Sequence, residues 1–157
     1  MNHALIVPVL LPAACAVLML LAGDGRIRLQ RAAALLACLG LAVVACGALG
    51  QAADGAIGVY RLGDWPAPFG IVLVLDRLAA LMLALTAAVA LAALLAAMTG
   101  PEPWDRRGRF FHPLFQFQLM GLNGAFLSGD LFNLFVFFAV LLVASYCLLL
   151  HGRGPER

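Results

Sequence analysis

Long apolar segments dominate this sequence and restrict what it can fold into. Five of them are separated by Gly, Pro or charged residues, and they cover about 4–22, 32–50, 78–98, 110–128 and 131–150. A membrane-crossing helix needs roughly 20 apolar residues at about 1.5 Å each. The segments therefore predict an all-α membrane protein with about five transmembrane helices, in a single membrane domain over residues 1–157.

Composition supports the lipid bilayer as the environment of the chain. The sequence is 64% hydrophobic and only 11% charged, whereas soluble domains are about half apolar and about a quarter charged. A net charge of +2 is too small to indicate a nucleic-acid partner. The four cysteines lie inside apolar runs without a C-x-x-C spacing, so we predict no metal site. No cofactor motif is found, and no cofactor is predicted.

The arginines predict how the segments are oriented. They cluster between the first and second segments, between the third and fourth, and in the tail: Arg26, Arg28, Arg31; Arg106, Arg107, Arg109; Arg153, Arg157. Arginine-rich loops stay on the cytoplasmic side of a membrane. We therefore expect a multi-pass protein of the cell (inner) membrane, with its amino terminus outside and its tail in the cytoplasm.

The loop between the second and third segments predicts a short extracytoplasmic β-hairpin near 59–75. Two β-prone runs, 59–65 and 71–75, flank a turn rich in Pro and Gly. Asp76 follows the second run and precedes the third apolar segment. Two roles fit Asp76, a helix N-cap and a direct part in ion access, and the cap is the favoured one.

The fourth segment carries polar side chains on one helical face. His112, Gln116 and Asn123 share that face, together with Met120 and Leu127. Lipid would leave their polar atoms unpaired, so the face should point into a helix bundle or a hydrated cavity. Two roles remain open, hydrogen bonds that join helices and a hydrated ion path. For His112 alone, the favoured position is at the surface, at the cytoplasmic end of its helix.

The fifth segment begins with polar residues and then becomes wholly apolar. Asp130 fits the N-cap position, with Asn133 one turn further along, and either residue could instead belong to an ion path. Near the middle of the segment lies Ala139, on a face of aromatic and aliphatic residues. This helix therefore offers no group that could bind a proton at the membrane centre. Gly121, Gly124 and Ser128 of the preceding segment form a small-residue seam that favours close helix packing.

Two stretches carry a family resemblance. Residues 115–138, F-Q-F-Q-L-M-G-L-N-G-A-F-L-S-G-D-L-F-N-L-F-V-F-F, and residues 60–78, Y-R-L-G-D-W-P-A-P-F-G-I-V-L-V-L-D-R-L, resemble the D-type subunit of the Mrp-type multisubunit monovalent cation/proton antiporters. That family is related to the antiporter-like membrane subunits of respiratory complex I. The resemblance implies a membrane subunit of a Na⁺ or K⁺/proton antiporter complex, with other membrane subunits, protons and monovalent cations as its partners.

The chain departs from the family pattern at two points. Ala139 stands where the family's F-F-E-V motif would place its ion-coupling glutamate, and the sequence ends at Arg157, before the helices that carry the family's relay lysines. We therefore expect an N-terminal fragment that does not transport ions alone. The alternatives are a structural or accessory membrane subunit without transport, and a fragment of a complex I-type proton-translocating subunit. We do not expect an enzyme. NADH:quinone oxidoreduction would be assigned to the chain only because its family is related to respiratory complex I.

Overall fold

The computed structural model describes residues 3–23, 25–65 and 69–151. Arg153 and Arg157, used above for orientation, and the Pro66–Pro68 turn lie outside these ranges. The elements follow the order α1, Val7–Ala22, after a short 3₁₀ turn; α2, Ile27–Ala52; β1, Gly58–Arg61; β2, Val72–Leu75; α3, Arg77–Met98; α4, Phe111–Leu127; and α5, Leu131–Leu149.

The expected all-α membrane fold is confirmed. Four described helical stretches are long and apolar enough to cross a membrane: His3–Ala22, Ile27–Ala52, Arg77–Met98 and Leu131–Leu149. α4 has 17 residues and carries the polar face. It is not among these four stretches, yet it packs against all of them.

Helix α4 is the centre of the bundle. It packs most extensively on α5 and α1 and also contacts α3 and α2. Helices α2 and α3 also pack on each other, and both bury alanines, Ala34 and Ala45 of α2 and Ala80 and Ala87 of α3. Small side chains let helix backbones approach closely, which compensates for the weak hydrophobic driving force inside lipid.

Two glycines of α4 make its contact with α5 possible. A Cβ atom built on Gly121 would lie 2.8 Å from the backbone nitrogen of Leu141, and one built on Gly124 would overlap the ring of Phe137. Any larger residue would push the helices apart. The predicted small-residue seam is therefore present, and α5 is the helix that packs against it.

The predicted hairpin is confirmed, and it covers one end of the bundle. Strands β1 and β2 pair antiparallel, from Gly58 opposite Leu75 to Arg61 opposite Val72. The backbone N–H of Gly129 donates to the carbonyl of Val72 at 2.8 Å, which ties the hairpin to the α4–α5 turn. We call this the hairpin end. The opposite end, which holds residues 23 and 25–26 and the loop at 99–110, is the arginine end.

Helix α2 begins earlier than its apolar run. Its first residue is Ile27, not a residue near 32, because the run of hydropathy marks only the part suited to lipid. The first turns carry polar residues that find partners at the arginine end. Gln30 is buried and donates to the carbonyl of Gly23 at 3.0 Å.

Candidate functional site

The polar face of α4 points into the protein. The side chains of His112 and Gln116 are fully buried and Asn123 is 2% exposed. Each one is held by a different neighbour, at a different level along the helix. Their burial agrees with the expectation that lipid contact would leave these polar groups unpaired.

An ion pair with a buried carboxylate holds the arginine end of this face. Arg31 of α2 donates two hydrogen bonds to Asp105, from Nε to Oδ2 at 2.7 Å and from Nη2 to Oδ1 at 2.8 Å. The Nε2 atom of His112 lies 3.1 Å from Oδ2 of the same carboxylate. This cluster of Arg31, Asp105 and His112 joins α2, the loop before α4, and α4 itself.

The cluster fixes the charge of Asp105. Burial raises the pKa of this carboxyl, but the hydrogen bonds from Arg31 and His112 outweigh burial and hold the pKa below its usual value. Asp105 therefore stays ionised, and its two oxygens act as acceptors for both partners.

The expectation of a surface position for His112 is wrong. Its side chain is 0% exposed, because the loop before α4 folds back and places Asp105 over the ring. His151, at the end of α5, lies nearby and is also buried, and Phe111 contacts both imidazole rings with centroids 5.3 Å apart in each case. Helix capping at a surface therefore does not describe this residue.

Gln116 lies one turn beyond His112 and reaches α2. Its Nε2 donates to the carbonyl of Ala34 at 3.4 Å and lies 3.8 Å from Sγ of Cys38. The amide oxygen, Oε1, is buried and has no hydrogen-bond partner among the described residues. The amide nitrogen of Gln116 therefore joins α4 to α2, and its amide oxygen can still accept a hydrogen bond.

Asn123 satisfies a carbonyl that α1 leaves unpaired. Its Nδ2 donates to the backbone oxygen of Pro8 at 2.9 Å. In a regular helix that oxygen would accept from the N–H of residue 12, but residue 12 is Pro12, which has none. The asparagine of α4 thus replaces the missing bond of α1.

A cavity of about 130 Å³ extends from Ala4 and Gln51 at the hairpin end toward Pro8. A smaller void beyond it, about 10 Å³, is lined by both Pro8 and Asn123. Asn123 is therefore the polar side chain that borders the smaller void.

Asp130 and Asn133 organise the start of α5. Asp130 is the N-cap residue, since its Oδ1 accepts from the backbone N–H of Asn133 at 2.9 Å. The side-chain amide of Asn133 donates to Asp130 and to the carbonyl of Gly70 at 3.1 Å. These bonds lock the first turn of α5 to the loop of the hairpin.

Asp76 occupies the equivalent position at the start of α3. Its Oδ1 accepts from the backbone N–H of Ala79 at 2.7 Å. The next residue, Arg77, donates to the carbonyls of Ala52 and Ala53 at the end of α2, at 3.3 and 2.9 Å. A cation at a helix C-terminus interacts favourably with the helix dipole, so Arg77 joins the end of α2 to the start of α3.

Ala139 lies apart from all these polar groups. It is exposed on the outer side of α5, where it lines an apolar groove of about 370 Å³ with Leu114, Phe117, Val140, Val143 and Ala144. The aromatic residues of the same face are exposed as well, Phe135 at 73%. This face therefore takes no part in the packing of the five described helices.

Sequence reasoning missed Asp105. It counted the arginines of the 99–110 loop for orientation and gave no role to the acid among them. The available signal was an aspartate placed beside three arginines and seven residues before a histidine. Among the described residues, no group of three His, Cys, Asp or Glu side chains is placed to hold a metal ion.

The comparisons with known proteins agree with the fold. No family model matches the chain. It is 50% identical, over 100% of its length, to the D-type subunit of a probable K(+)/H(+) antiporter of Rhizobium meliloti, and 40% identical, over 97%, to the D-type subunit of a Na(+)/H(+) antiporter of Alkalihalophilus pseudofirmus. It spans 30% of the length of each of these relatives.

Solved structures show the same arrangement of helices. The Mrp complex of a Dietzia species contains a chain that superposes with a TM-score of 0.83 at 31% identity, over 96% of this chain and 28% of the other. An archaeal respiratory complex, the membrane-bound sulfane sulfur reductase, gives a TM-score of 0.78 at 27% identity, over 97% of this chain and 31% of the other.

The fold and the buried polar helix define an antiporter-like, multi-pass membrane subunit. Within that class, the resemblance to the D-type subunit of the Mrp-type monovalent cation/proton antiporters is confirmed by both sequence and structure. The link to respiratory complexes is present too. The chain is 41% identical, over 71% of its length, to the N-type subunit of an NADH-quinone oxidoreductase of Desulforudis audaxviator, of which it covers 23%.

Proposed function

We propose that this chain is the N-terminal part of a membrane subunit in a monovalent cation (Na⁺ or K⁺)/proton antiporter complex. Its similarity, along its whole length, to the D-type antiporter subunits supports this proposal. The observation that carries it is the face of α4, whose three polar side chains are buried between helices at three levels. The partners are other membrane subunits of the complex, together with protons and monovalent cations.

We propose a location in the inner membrane, with the hairpin end outside and the arginine end in the cytoplasm. The arginines of the 23–31 and 99–110 stretches support this orientation, because basic loops stay inside. The face formed by His112, Gln116 and Asn123 would then run from the cytoplasmic end of α4 toward the membrane centre. Asp76, Asp130 and Asn133 would lie at the outer end, where they cap helices.

We propose that position 139 is the ion-coupling position of the subunit. We propose also that ion coupling at this position is lost, because alanine has no group that can bind a proton. The groove around Ala139 is lined only by apolar side chains. A carrier of protons needs a titratable group within the membrane, and α5 offers none between Asn133 and its last turn. Transport by the chain alone is therefore not expected.

Everted membrane vesicles test the chain alone. The chain is produced in a host without its own cation/proton antiporters, and the vesicles are energised with a pH-sensitive dye inside. Addition of Na⁺ or K⁺ should restore no more of the quenched dye fluorescence than it does in vesicles from the empty host. Cation-dependent release with this chain as the only addition would disprove the proposed loss of coupling.

A chimera tests position 139 in a complete subunit. The chain replaces the matching 30% of the D-type subunit of the Na(+)/H(+) antiporter of Bacillus subtilis, produced with that complex's other subunits. We expect the chimera with Ala139 to be inactive and the Ala139→Glu chimera to exchange cations for protons. Ala139→Gln is the matched control, since it has the same shape without the charge.

The same chimera separates antiport from an accessory role. An Ala139→Glu chimera that assembles with its partner subunits, yet remains inactive, would favour a structural subunit without transport. The complex I-like relative gives a further comparison. If the chain instead replaces the matching part of that N-type subunit in its own complex, proton movement driven by NADH oxidation and quinone reduction would assign the chain to that branch.

A further inference from the structure

Two buried acceptor atoms on α4 lack partners. Nδ1 of His112 and Oε1 of Gln116 have no hydrogen bond among the described residues, and both side chains are 0% exposed. Buried side-chain polar atoms nearly always have a partner, either protein or ordered water. We call these two atoms the acceptor pair.

The partners of the two side chains fix the chemistry of the acceptor pair. The carboxylate of Asp105 can only accept, so the hydrogen it shares with His112 belongs to Nε2. A neutral imidazole then has Nδ1 as an acceptor. Similarly, the carbonyl of Ala34 can only accept, which places the NH₂ group of Gln116 toward α2 and leaves Oε1 as the free acceptor.

The backbone brings both side chains to one strip of α4 that faces α2. Residues four apart on a helix lie on the same face, and helical side chains lean toward the N-terminus. Gln116 therefore extends over the turn that contains His112. On α2 the two anchoring points are also one turn apart, since Arg31 holds Asp105 and Ala34 holds Gln116.

Charge in this strip is already balanced. Arg31 from α2 and Asp105 from the preceding loop form an ion pair. The remaining titratable groups nearby are Cys38 of α2 and His151 beyond α5, with its own unpartnered Nε2. The strip therefore offers two acceptors to a ligand and requires no further charge.

We propose that a single water molecule binds here, donating one hydrogen to Nδ1 of His112 and the other to Oε1 of Gln116. Water fits because it supplies two donors, and buried waters typically satisfy two to four such polar groups. Hard metal ions surround themselves with six or more oxygens, whereas the acceptor pair provides one oxygen and one nitrogen. The result is a continuous series of hydrogen bonds from Arg31 through Asp105, His112 and the water molecule to Gln116.

This hydrated site does not depend on antiport, so its test needs no transport. The full chain is labelled with ¹⁵N-histidine, incorporated into lipid bilayers and studied by solid-state NMR near neutral pH. The sequence has three histidines, and the His112→Gln variant identifies the signals of His112. We expect a protonated Nε2, an unprotonated Nδ1, and magnetisation transfer from water to Nδ1.

Two variants of α4 assign the water to the acceptor pair. Gln116→Met keeps the length of the side chain and removes Oε1, so the transfer from water to Nδ1 should fall at least several-fold. Gln118→Met, on another side of α4, should leave it unchanged. The Nε2 signal, held by Asp105, reports whether each variant keeps its fold.

Three outcomes would overturn the proposal, and the first two need only the unmodified chain with its His112 signals assigned. One is an imidazolium with both nitrogens protonated, and another is an unprotonated Nδ1 without transfer from water. The third is equal transfer in Gln116→Met and the unmodified chain while the Nε2 signal is preserved, which would place the water away from Gln116.

Discussion

At the scale of single residues, Pro12 determines what Asn123 does. Proline interrupts the hydrogen bonding of α1 and leaves the carbonyl of Pro8 without its usual donor. In a soluble protein bulk water could supply that donor, whereas in the bilayer core it comes from a neighbouring helix, a side chain or an ordered water. The amide of Asn123 is the donor that the fold provides.

Asn123→Leu should therefore destabilise the bundle in a way that depends on Pro12. We expect a loss of about 0.6–2 kcal/mol, the range measured for hydrogen bonds between membrane helices. Pro12→Ala restores an N–H that can reach the carbonyl of Pro8. In that background Asn123→Leu should cost clearly less. Reversible unfolding in detergent micelles gives the four free energies of this double-mutant cycle.

Gln118→Leu serves as the control for that cycle, because Gln118 is only partly buried and lies on another side of α4. Its effect should be the same with Pro12 or Ala at position 12. Equal costs of Asn123→Leu in both backgrounds would show that the two residues act independently.

Asp105 should stabilise the arginine end in a pH-dependent manner. Its pKa is lowered in the folded chain, so the stabilisation is complete above the ordinary aspartate pKa and is lost as the pH falls through the lowered value. Asp105→Asn should remove it, at a cost of about 1.5–3 kcal/mol for a hydrogen bond to a charged group. Unfolding measured from neutral to acidic pH checks both statements.

The same loop offers a matched control in Glu102. It pairs with Arg107 at 3.6 Å, but its side chain is 83% exposed, and exposed ion pairs contribute about 0–1 kcal/mol. Glu102→Gln should change stability little at any pH. A difference between Asp105→Asn and the unmodified chain that stays constant into strong acid would contradict the role assigned to the ion pair.

At the scale of helices, the seam between α4 and α5 depends on the absence of side chains. Gly121→Ala would place a methyl group 2.8 Å from the backbone of Leu141. Backbone cannot move aside as a side chain can, so we expect the typical overpacking cost of about 1–3 kcal/mol. Unfolding in micelles, with fluorescence quenching between α4 and α5 as a local readout, measures it.

Gly50→Ala on α2 is the control for the seam. Position 50 has open space around its Cβ direction, and alanine is favoured over glycine in a helix by about 1 kcal/mol. This variant should be neutral or slightly more stable. A similar loss of unfolding free energy for both substitutions would mean that the cost comes from the backbone conformation of glycine. It would then not come from the close approach of α5 to Gly121.

Helices and the hairpin were predictable from sequence because each depends on local patterns. Apolar runs located the five helices, and two β-prone runs located the strand pair. What could not be predicted is the partner of each polar group. Asp105 reaches His112 only because the loop before α4 folds back, and Pro8 meets Asn123 across 115 residues of sequence. Such pairings depend on tertiary packing, and hydropathy carries no information about it.

At the scale of the molecule, the two ends of the bundle differ in charge. The arginine end carries Arg26, Arg28 and Arg31 from one loop region and Arg106, Arg107 and Arg109 from another. At the hairpin end, Arg61 and Arg77 are accompanied by Asp54, Asp64 and Asp76. Since arginine is retained in the cytoplasm and acids have little influence, this asymmetry predicts one orientation in the membrane.

Thiol labelling of intact cells tests that orientation. The four native cysteines are free and are first replaced by alanine. A single cysteine is then introduced as Trp65→Cys in the hairpin, or as Glu102→Cys in the loop before α4. Both positions are exposed. We expect a membrane-impermeant maleimide to label position 65 in intact cells and position 102 only after the cells are permeabilised.

The labelling result also bears on how the polar face is reached. With the arginine end inside, the cluster of Arg31, Asp105 and His112 meets the cytoplasm, and the cavity beside Pro8 opens outside. The internal contacts of the bundle are the same in either orientation. Labelling of position 102 alone in intact cells would therefore place the cluster of Arg31, Asp105 and His112 outside and the opening of the cavity in the cytoplasm. Labelling of both positions in intact cells would indicate mixed insertion, and the arginine asymmetry would then be too weak to orient the chain.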